Sequence, residues 1–562
     1  MRASLWWKQA VFYQIYPLSF QDTTGNGKGD LQGILHRLDY LQDLGVDALW
    51  ISPCFPSPWA DWGYDVSDYT EIHPELGSLD TLDRLLEAAH QHGLRVLLDF
   101  VPNHTSDQHP WFQESRKNRS NPKRDWYVWR DPGPAGGLPN NWLSYFSGPA
   151  WEWDPATQQY YLHSFLKQQP DLNYRNPEVR QAMADVLRFW LDRGVDGFRV
   201  DSVLPLIKDK FFRDDPVRLQ PPLGKDMGPA GMQDRVHSAN HPEVHALLNE
   251  WRALLDSYPG DRMMVGEVYT MDLALAGRYY GQNDGLHLVH NFSLLNLPWN
   301  ADLLREDVEG FEAGLPEGAH PTLVLGSHDE PRLATRLGES QARVAAMMLL
   351  TLRGAPFIYY GDELGMLDVE IPAHLRRDQW PASSGLPQHS RDPARTPMQW
   401  DGSPRAGFGP PGTEPGHVQP WLPIHPDYPV RNVQIELKDP GSMLNLYRRL
   451  LRLRRSSTAL RLGSYRPATQ AAESCYVYYR TYGDEAWLVA LNFSAEDRVL
   501  GLADPRLGRV LLSTGLDREE PIQLSGFKLR ANEGILVQLE PSPANPIPAR
   551  LPLAAAPREP EG

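Results

Sequence analysis

Four short apolar runs of this chain end on acidic residues with a base or an amide close by. Asp99 is followed by Asn103 and His104, Arg199 stands two positions before Asp201, Glu267 closes MMVGE, and His328 leads Asp329. Any one of these carboxylates alone reads as a cap or a structural group. Four gathered at one end of a set of strands would be costly to bury unless some were protonated or paired with cations. Glycosidic bond cleavage needs such a set: one carboxylate attacks or stabilises the anomeric carbon, and another donates a proton to the leaving oxygen. The acid needs a raised pKa and the nucleophile a lowered one. Alternate residues of a strand face one side, so Arg199 and Asp201 point the same way and make an ion-paired nucleophile.

The elements that must position these groups are eight buried apolar runs alternating with helical patterns. The runs are Phe12–Tyr16, Ala48–Ser52, Arg95–Phe100, Gly197–Asp201, Met264–Glu267, Leu288–Phe292, Leu323–Ser327 and Phe357–Gly361. Leu31, Ile34, Leu35, Leu38 and Leu41 recur at helical spacing before Gly45, and Leu82, Leu85, Leu86 and Ala89 do so before Gly93. Asn176-Pro177 starts a helix with Val179, Met183, Val186, Leu187 and Trp190 on its apolar stripe. Val244 to Leu255 gives another, and Ser442 caps a last one running to about Arg455. Eight alternations suit a parallel barrel or a doubly wound sheet, and the number favours the barrel. In a barrel, chemistry sits at the strands' C-terminal ends. The gap from Phe100 to Gly197 is too long for a connection and reads as an inserted subdomain. After about residue 460, alternating stretches such as CYVYYRTY and EAWLVALNFS read as antiparallel strands. The Pro-rich end, 541–562, reads as a disordered tail.

The 562 residues carry a formal charge of −16, and 41% are hydrophobic. That balance argues against nucleic acid and anionic membranes as partners, which select basic faces. Eighteen Trp, 23 Tyr and 17 Phe provide rings that pack a core or stack on sugars. Cys54 and Cys475 allow at most one disulfide, and a reducing, cytoplasmic setting is the simpler expectation. No uncharged apolar run is long enough to span a bilayer, and the N-terminus lacks a signal-peptide pattern.

The motifs QIYPLSFQD (14–22), GYDVSDY (63–69), DFVPNHTSD (99–107), QPDLNYRNPEVR (169–180), GVDGFRVD (194–201), VGEVY (265–269), SHDEPR (327–332), YYGDELGM (359–366) and RDPARTPMQW (391–400) resemble those of the α-amylase clan, glycoside hydrolase family 13, in its oligo-1,6-glucosidase and α-glucosidase branch. The resemblance covers about residues 6–540. It implies a (β/α)8 TIM barrel (1–103 and 173–460), subdomain B inserted after strand 3 (104–172) and a C-terminal antiparallel β-sandwich domain (461–540). It implies Asp201 as nucleophile, Glu267 as general acid/base and Asp329 as the third carboxylate. Tyr64, His104, Arg199 and His328 would surround the first sugar. Asp65 and Arg391 would be the pair that holds the non-reducing end and makes the enzyme exo-acting, with Arg395 as the alternative partner. Phe165 and Gln169 would stand at the entrance, where packing is the rival reading of Phe165, and Trp142 would lie in a loop beside the pocket.

The resemblance further implies a retaining α-glucosidase that takes short oligosaccharides, with transglucosylation as a side reaction and no catalytic cofactor. A monomer or small homo-oligomer is expected. Departures from the family pattern are informative. The loop DTTGNGKGD can offer Asp22, Thr24, Asn26, the Lys28 carbonyl and Asp30 to a structural Ca2+ or Mg2+, with fewer charges than usual. Ser202, the small residue after the nucleophile, favours α-1,4 over α-1,6 linkages. Ser327 replaces the commoner Asn beside His328. Sucrose- or trehalose-acting enzymes of the clan are the alternatives. An inactive transporter-associated relative would lack carboxylates that this chain keeps.

Overall fold

The computed structural model describes residues 5–219, 231–410, 418–468 and 472–540, so the tail expected at 541–562 lies outside the described residues. Eight parallel strands form the central sheet: β1 (Phe12–Ile15), β2 (Ala48–Ile51), β3 (Arg95–Phe100), β4 (Gly197–Val200), β5 (Met263–Glu267), β6 (Leu288–His290), β7 (Thr322–Val324) and β8 (Ala355–Tyr359). Their order is β7-β8-β1-β2-β3-β4-β5-β6, a barrel with β6 and β7 at the seam. Among the described residues no backbone ladder joins that last pair. The Thr322 hydroxyl bridges it, donating to the Val289 carbonyl (2.6 Å) and accepting from the Asn291 amide (3.1 Å).

Side-chain parity sorts every strand. Phe12, Trp50, Leu97, Val265, Leu288, Val324 and Phe357 pack together inside the barrel, while Tyr13, Leu49, Leu98, Phe198, Met264, Val289 and Ile358 meet the helices outside. The same parity turns Gln14, Asp99 and Arg199 inward above the apolar layer, because each lies two residues beyond an inward position. Register completes the arrangement: Asp99 lies beside Arg199, and Glu267 beside His290.

The outer helices follow the expected apolar stripes. Leu79–Gln91 starts on Ser78, whose hydroxyl accepts from Thr81 N–H. Pro177–Asp192 has Pro at its first turn and Asn176 accepting from Glu178 N–H, and Met443–Ser456 is capped by Ser442. The pattern at 31–44 forms two short helices, Leu31–His36 and Leu38–Leu44, and Gly45 ends the second with φ 101°.

Within the long gap after β3 lies a three-stranded antiparallel sheet, with Gln159–Leu162 between Trp129–Arg130 and Trp151–Asp154. The C-terminal part is a six-stranded antiparallel sheet and a two-stranded one. On its strand Cys475–Tyr482, Val477 and Tyr479 face a core shared with the small sheet, while Tyr476 and Tyr478 face the main core. Cys54 and Cys475 are both buried and unpaired, so the disulfide that composition allowed is not formed. Among the described residues no helix is long and apolar enough to cross a membrane. The most apolar stretch, residues 344–360, is divided between the end of helix Glu339–Thr351 and β8.

Candidate active site

A cavity of about 530 Å³ opens at the C-terminal end of the barrel, lined by Asp201, Glu267 and Asp329 together with Tyr64, His104, Phe165, Ser202, His328 and Arg391. Arg199 lies just beneath it, 1% exposed. Its Nη1 donates to Asp201 Oδ1 (2.5 Å) and Asp99 Oδ1 (2.9 Å), and its Nη2 lies 2.8 Å from Glu267 Oε2. Asp99 Oδ2 also accepts from the Tyr64 hydroxyl (3.0 Å) and the Trp50 indole (3.1 Å). Three carboxylates around one guanidinium would leave two excess negative charges if all were ionised.

Burial therefore sets the protonation states. It pushes Glu267 up to about 8, with the charges of Asp201 and Asp329 adding to the rise and Arg199 opposing it. Burial also raises Asp201, to about 6, with Asp99 adding to the rise, so the lowered nucleophile pKa expected from its pairing with Arg199 is not found, although Arg199 pulls in that direction. At neutral pH the site thus holds an ionised Asp201 and a protonated Glu267, the division that acid-assisted nucleophilic displacement requires. Ser202 sits at φ +46°, a region that costs a non-glycine residue about 1–3 kcal/mol, and there its N–H donates to Glu267 Oε2 at 2.9 Å.

His328 is neutral, since burial drives its pKa well below the ordinary value. Gln14 Nε2 donates to its Nδ1 (2.7 Å), so Nε2 carries the proton and faces the Tyr64 hydroxyl (2.8 Å) and Asp329 Oδ2 (3.2 Å). Its ring lies parallel to that of Tyr64, 5.4 Å between centroids. Asp329 Oδ1 accepts from Arg395 Nη2 at 2.8 Å and lies 3.5 Å from Arg391 Nη1. Ser327, in place of Asn, donates no bond to the His328 ring; its Oγ accepts from Asp329 N–H.

The expected pairing of Asp65 with Arg391 is not made. Asp65 is fully buried and organises its own loop, accepting from the Ser57 hydroxyl (2.7 Å) and the Ala60 and Asp61 amides (both 2.9 Å). That loop presents Asp61 instead. Arg391 Nη2 donates to Asp61 Oδ1 (2.7 Å) and to Asp378 Oδ1 (2.7 Å), and Nε to Asp378 Oδ2 (2.9 Å). Asp61 lines the cavity and Asp65 does not. Asp65 stands in the GYD motif, whereas the sequence marks Asp61 only as a second carboxylate four residues earlier.

Gln169 is likewise buried beneath the surface, its amide donating to Asp61 Oδ2 (3.0 Å) and lying 3.0 Å from His104 Nε2. Phe165 lines the cavity, stacked on Tyr145 and 5.2 Å from the His104 ring. Trp142 is not at the pocket: it is 1% exposed, its ring packs between Trp151 and Phe212, and its indole donates to the Arg213 carbonyl. Tyr145, Phe146, Tyr269 and Trp380 are lining aromatics that the sequence motifs do not single out.

On the loop after β1, Asp22, Thr24, Asn26, Lys28 and Asp30 occupy alternate positions, with Gly27 at φ +85°. The Gly27 amide donates to Asp22 Oδ2 (2.8 Å), Asn26 Oδ1 accepts from Lys28 N–H, and the Lys28 ammonium turns away to Glu75. This is the spacing of a hard-cation loop whose sixth position makes the sharp turn, with the seventh offering its carbonyl. Among the described residues no group of three or more His, Cys, Asp or Glu is placed to hold a metal, so a cation here would depend on amide, hydroxyl and carbonyl oxygens beside two carboxylates.

An eight-stranded parallel barrel with the carboxyls of Asp201, Glu267 and Asp329 gathered at its C-terminal mouth has the construction of a glycoside hydrolase. Residues 14–463 match the family model for the alpha amylase catalytic domain. The chain belongs to that family, glycoside hydrolase family 13. It is 40% identical to a probable alpha-glucosidase of Rhizobium meliloti (strain 1021), over 92% of this chain and 95% of that one. It is 38% identical to an oligo-1,6-glucosidase of Parageobacillus thermoglucosidasius, over 94% and 97%. Among solved structures, the alpha-glucosyl transfer enzyme XgtA superposes with a TM-score of 0.89 at 39% identity, covering 96% of this chain and 100% of that one. The trehalulose synthase MutB follows at 0.86 and 36%, covering 95% and 100%.

Proposed function

We propose that the protein is a retaining, exo-acting α-glucosidase that releases α-glucose from the non-reducing end of short α-glucosides, with α-1,4 bonds of the maltose type favoured. The observation that carries this reading is the ion-paired wall in which Arg391 binds Asp61 and Asp378 and approaches Asp329. A fixed guanidinium and carboxylate in the cavity wall suit the hydroxyls of a terminal sugar, and their ion pair is the wall that an exo-acting enzyme needs against a continuing chain. Glu267 protonates the glycosidic oxygen while an Asp201 oxygen attacks C1, and the C1–O bond to the leaving sugar breaks. Glu267 then takes a proton from water, whose oxygen displaces Asp201 from C1 with net retention. Arg199 bridges both carboxyls with one guanidinium, in keeping with the ~5–5.5 Å spacing of retaining enzymes. A sugar hydroxyl that replaces water gives transglucosylation. A cytoplasmic location and a monomer or small homo-oligomer belong to the same reading.

Sugar release across maltose, isomaltose, maltotriose, sucrose and trehalose tests it. Maltose should be cleaved faster than isomaltose, and the reverse order would overturn the argument from Ser202. Likeness to a trehalulose synthase keeps a sucrose-acting enzyme as the second reading, and an isomerised disaccharide formed from sucrose would establish it.

Asp61→Asn should raise KM for maltose with little change in kcat. Hydrogen bonds to charged groups contribute about 1.5–3 kcal/mol, so kcat/KM should fall about 10- to 100-fold. Asp65→Asn should lower thermal stability by unravelling the loop, and unfolding curves beside kinetics separate the two effects.

The loop at 22–30 is proposed to take Ca2+ or Mg2+ through Asp22, Thr24, Asn26, the Lys28 carbonyl and Asp30, bracing the loop after β1. At a hundred times its Kd a ligand stabilises by about 2.7 kcal/mol, so Ca2+ should raise Tm by a few degrees over chelated enzyme. Identical melting curves with Ca2+ and with EDTA would remove the cation from the proposal.

A further inference from the structure

At the opposite end of the barrel from the carboxylates is a second cavity of about 270 Å³. Its walls include the residues before β1, Asp47, the start of β3 at Arg95, and the C-terminal end of the helix Met443–Ser456 with Arg461 beyond it. Four arginines, Arg95, Arg454, Arg455 and Arg461, line it against a single carboxylate, in a chain whose formal charge is −16.

The pairings leave positive charge over. Arg95 is held by Asp196 (2.8 Å) and Arg455 by Asp47 (3.2 Å). Arg454, 1% exposed, makes no ion pair with a carboxylate among the described residues; Asp47 attracts it from beyond contact while Arg461 repels it. The Nη atoms of Arg454 donate to the Leu350, Leu352 and Gly354 carbonyls, and its Nε is buried without an acceptor. Arg461 has no side-chain acceptor among the described residues, and its Nε is also buried and unpartnered. A buried guanidinium left without a counter-charge is costly, and a donor without an acceptor adds to that cost. Arginine forks match the oxygens of phosphate, two donors to two acceptors. The cavity has room for such a group and its waters, since one water occupies about 30 Å³ of liquid.

We propose that this cavity is a binding site for a phosphate-type oxyanion, free or carried on a small molecule, held by Arg454 and Arg461 with Arg455 at its rim. The anion ties the last barrel helix to the bases of β1 and β3. It acts on stability and leaves the chemistry at the other end of the barrel untouched.

The test uses the full chain with inorganic phosphate at constant ionic strength, sodium chloride making up the balance. Phosphate should raise Tm by about 3 °C when present at a hundred times its Kd, and titration calorimetry should give one site. Arg461→Gln should abolish both responses, and Arg461→Lys should keep part of them. Both variants should hydrolyse p-nitrophenyl α-glucoside at the wild-type rate, which shows that they fold. Glucose 1-phosphate as a second ligand separates the sources, since tighter binding than inorganic phosphate assigns the site to a phosphorylated metabolite. A shift matched by chloride, or one that survives in Arg461→Gln, would overturn the proposal.

Discussion

Asp201→Asn is expected to lower kcat/KM for p-nitrophenyl α-glucoside by at least about 10⁴-fold, the scale reached when a covalent nucleophile is removed. The amide cannot form the glucosyl ester, while Arg199, Asp99 and the rest of the wall remain to bind the sugar. KM should therefore change far less than kcat. The fold should not suffer. Three carboxylates share one guanidinium here, so removing a negative charge relieves crowding, and Tm should stay level or rise, as where a site is built against stability. Rapid-quench mass spectrometry on wild type should find a glucosyl adduct on the peptide containing Asp201. Unchanged p-nitrophenol release by the variant would sink the assignment.

The second large effect belongs to Glu267. Glu267→Gln should reduce maltose hydrolysis by about 10²–10⁴-fold, the range for a general acid/base. It should spare the first step with an aryl glucoside, because p-nitrophenolate leaves without a proton. The pH profile ties this to the site. For wild type, kcat/KM should fall below about 6 as Asp201 protonates and above about 8 as Glu267 loses its proton. The acid limb is a property of the Asp99–Asp201 pair, since Asp99 is also raised to about 6 and shares Arg199. Glu267→Gln should retain the acid limb and lose the alkaline one in the glucosylation step. An alkaline limb that persists unmoved would assign that proton to another group.

Much of this site was legible because its residues lie on strands. Barrel strands are apolar on both faces and bounded by helices, so all eight runs stood out, and period two then turned Arg199 and Asp201 to one side. The ion-paired wall around Arg391 was harder to read. Asp61 and Asp378 sit in irregular loops, where no period says which carboxylate faces inward, and Asp65 takes three hydrogen bonds that only coordinates reveal. Trp142 misled for the same reason: a ring in a Gly- and Pro-rich stretch looks exposed, yet Trp151 and Phe212 cover it.

The Thr322 hydroxyl at the β6–β7 seam has a mechanical consequence. Every other neighbouring pair is riveted by several peptide hydrogen bonds, so the hoop is stiff everywhere but there. Glu267 ends β5, the neighbour of β6, and Asp329 lies beyond the end of β7, so the two stand on opposite sides of that joint. Thermal breathing of the barrel should concentrate where one side chain does the closing. Slippage at the joint is expected to alter the gap between Glu267 and Asp329, while the Asp99–Arg199–Asp201 corner, set between laddered strands, should stay still.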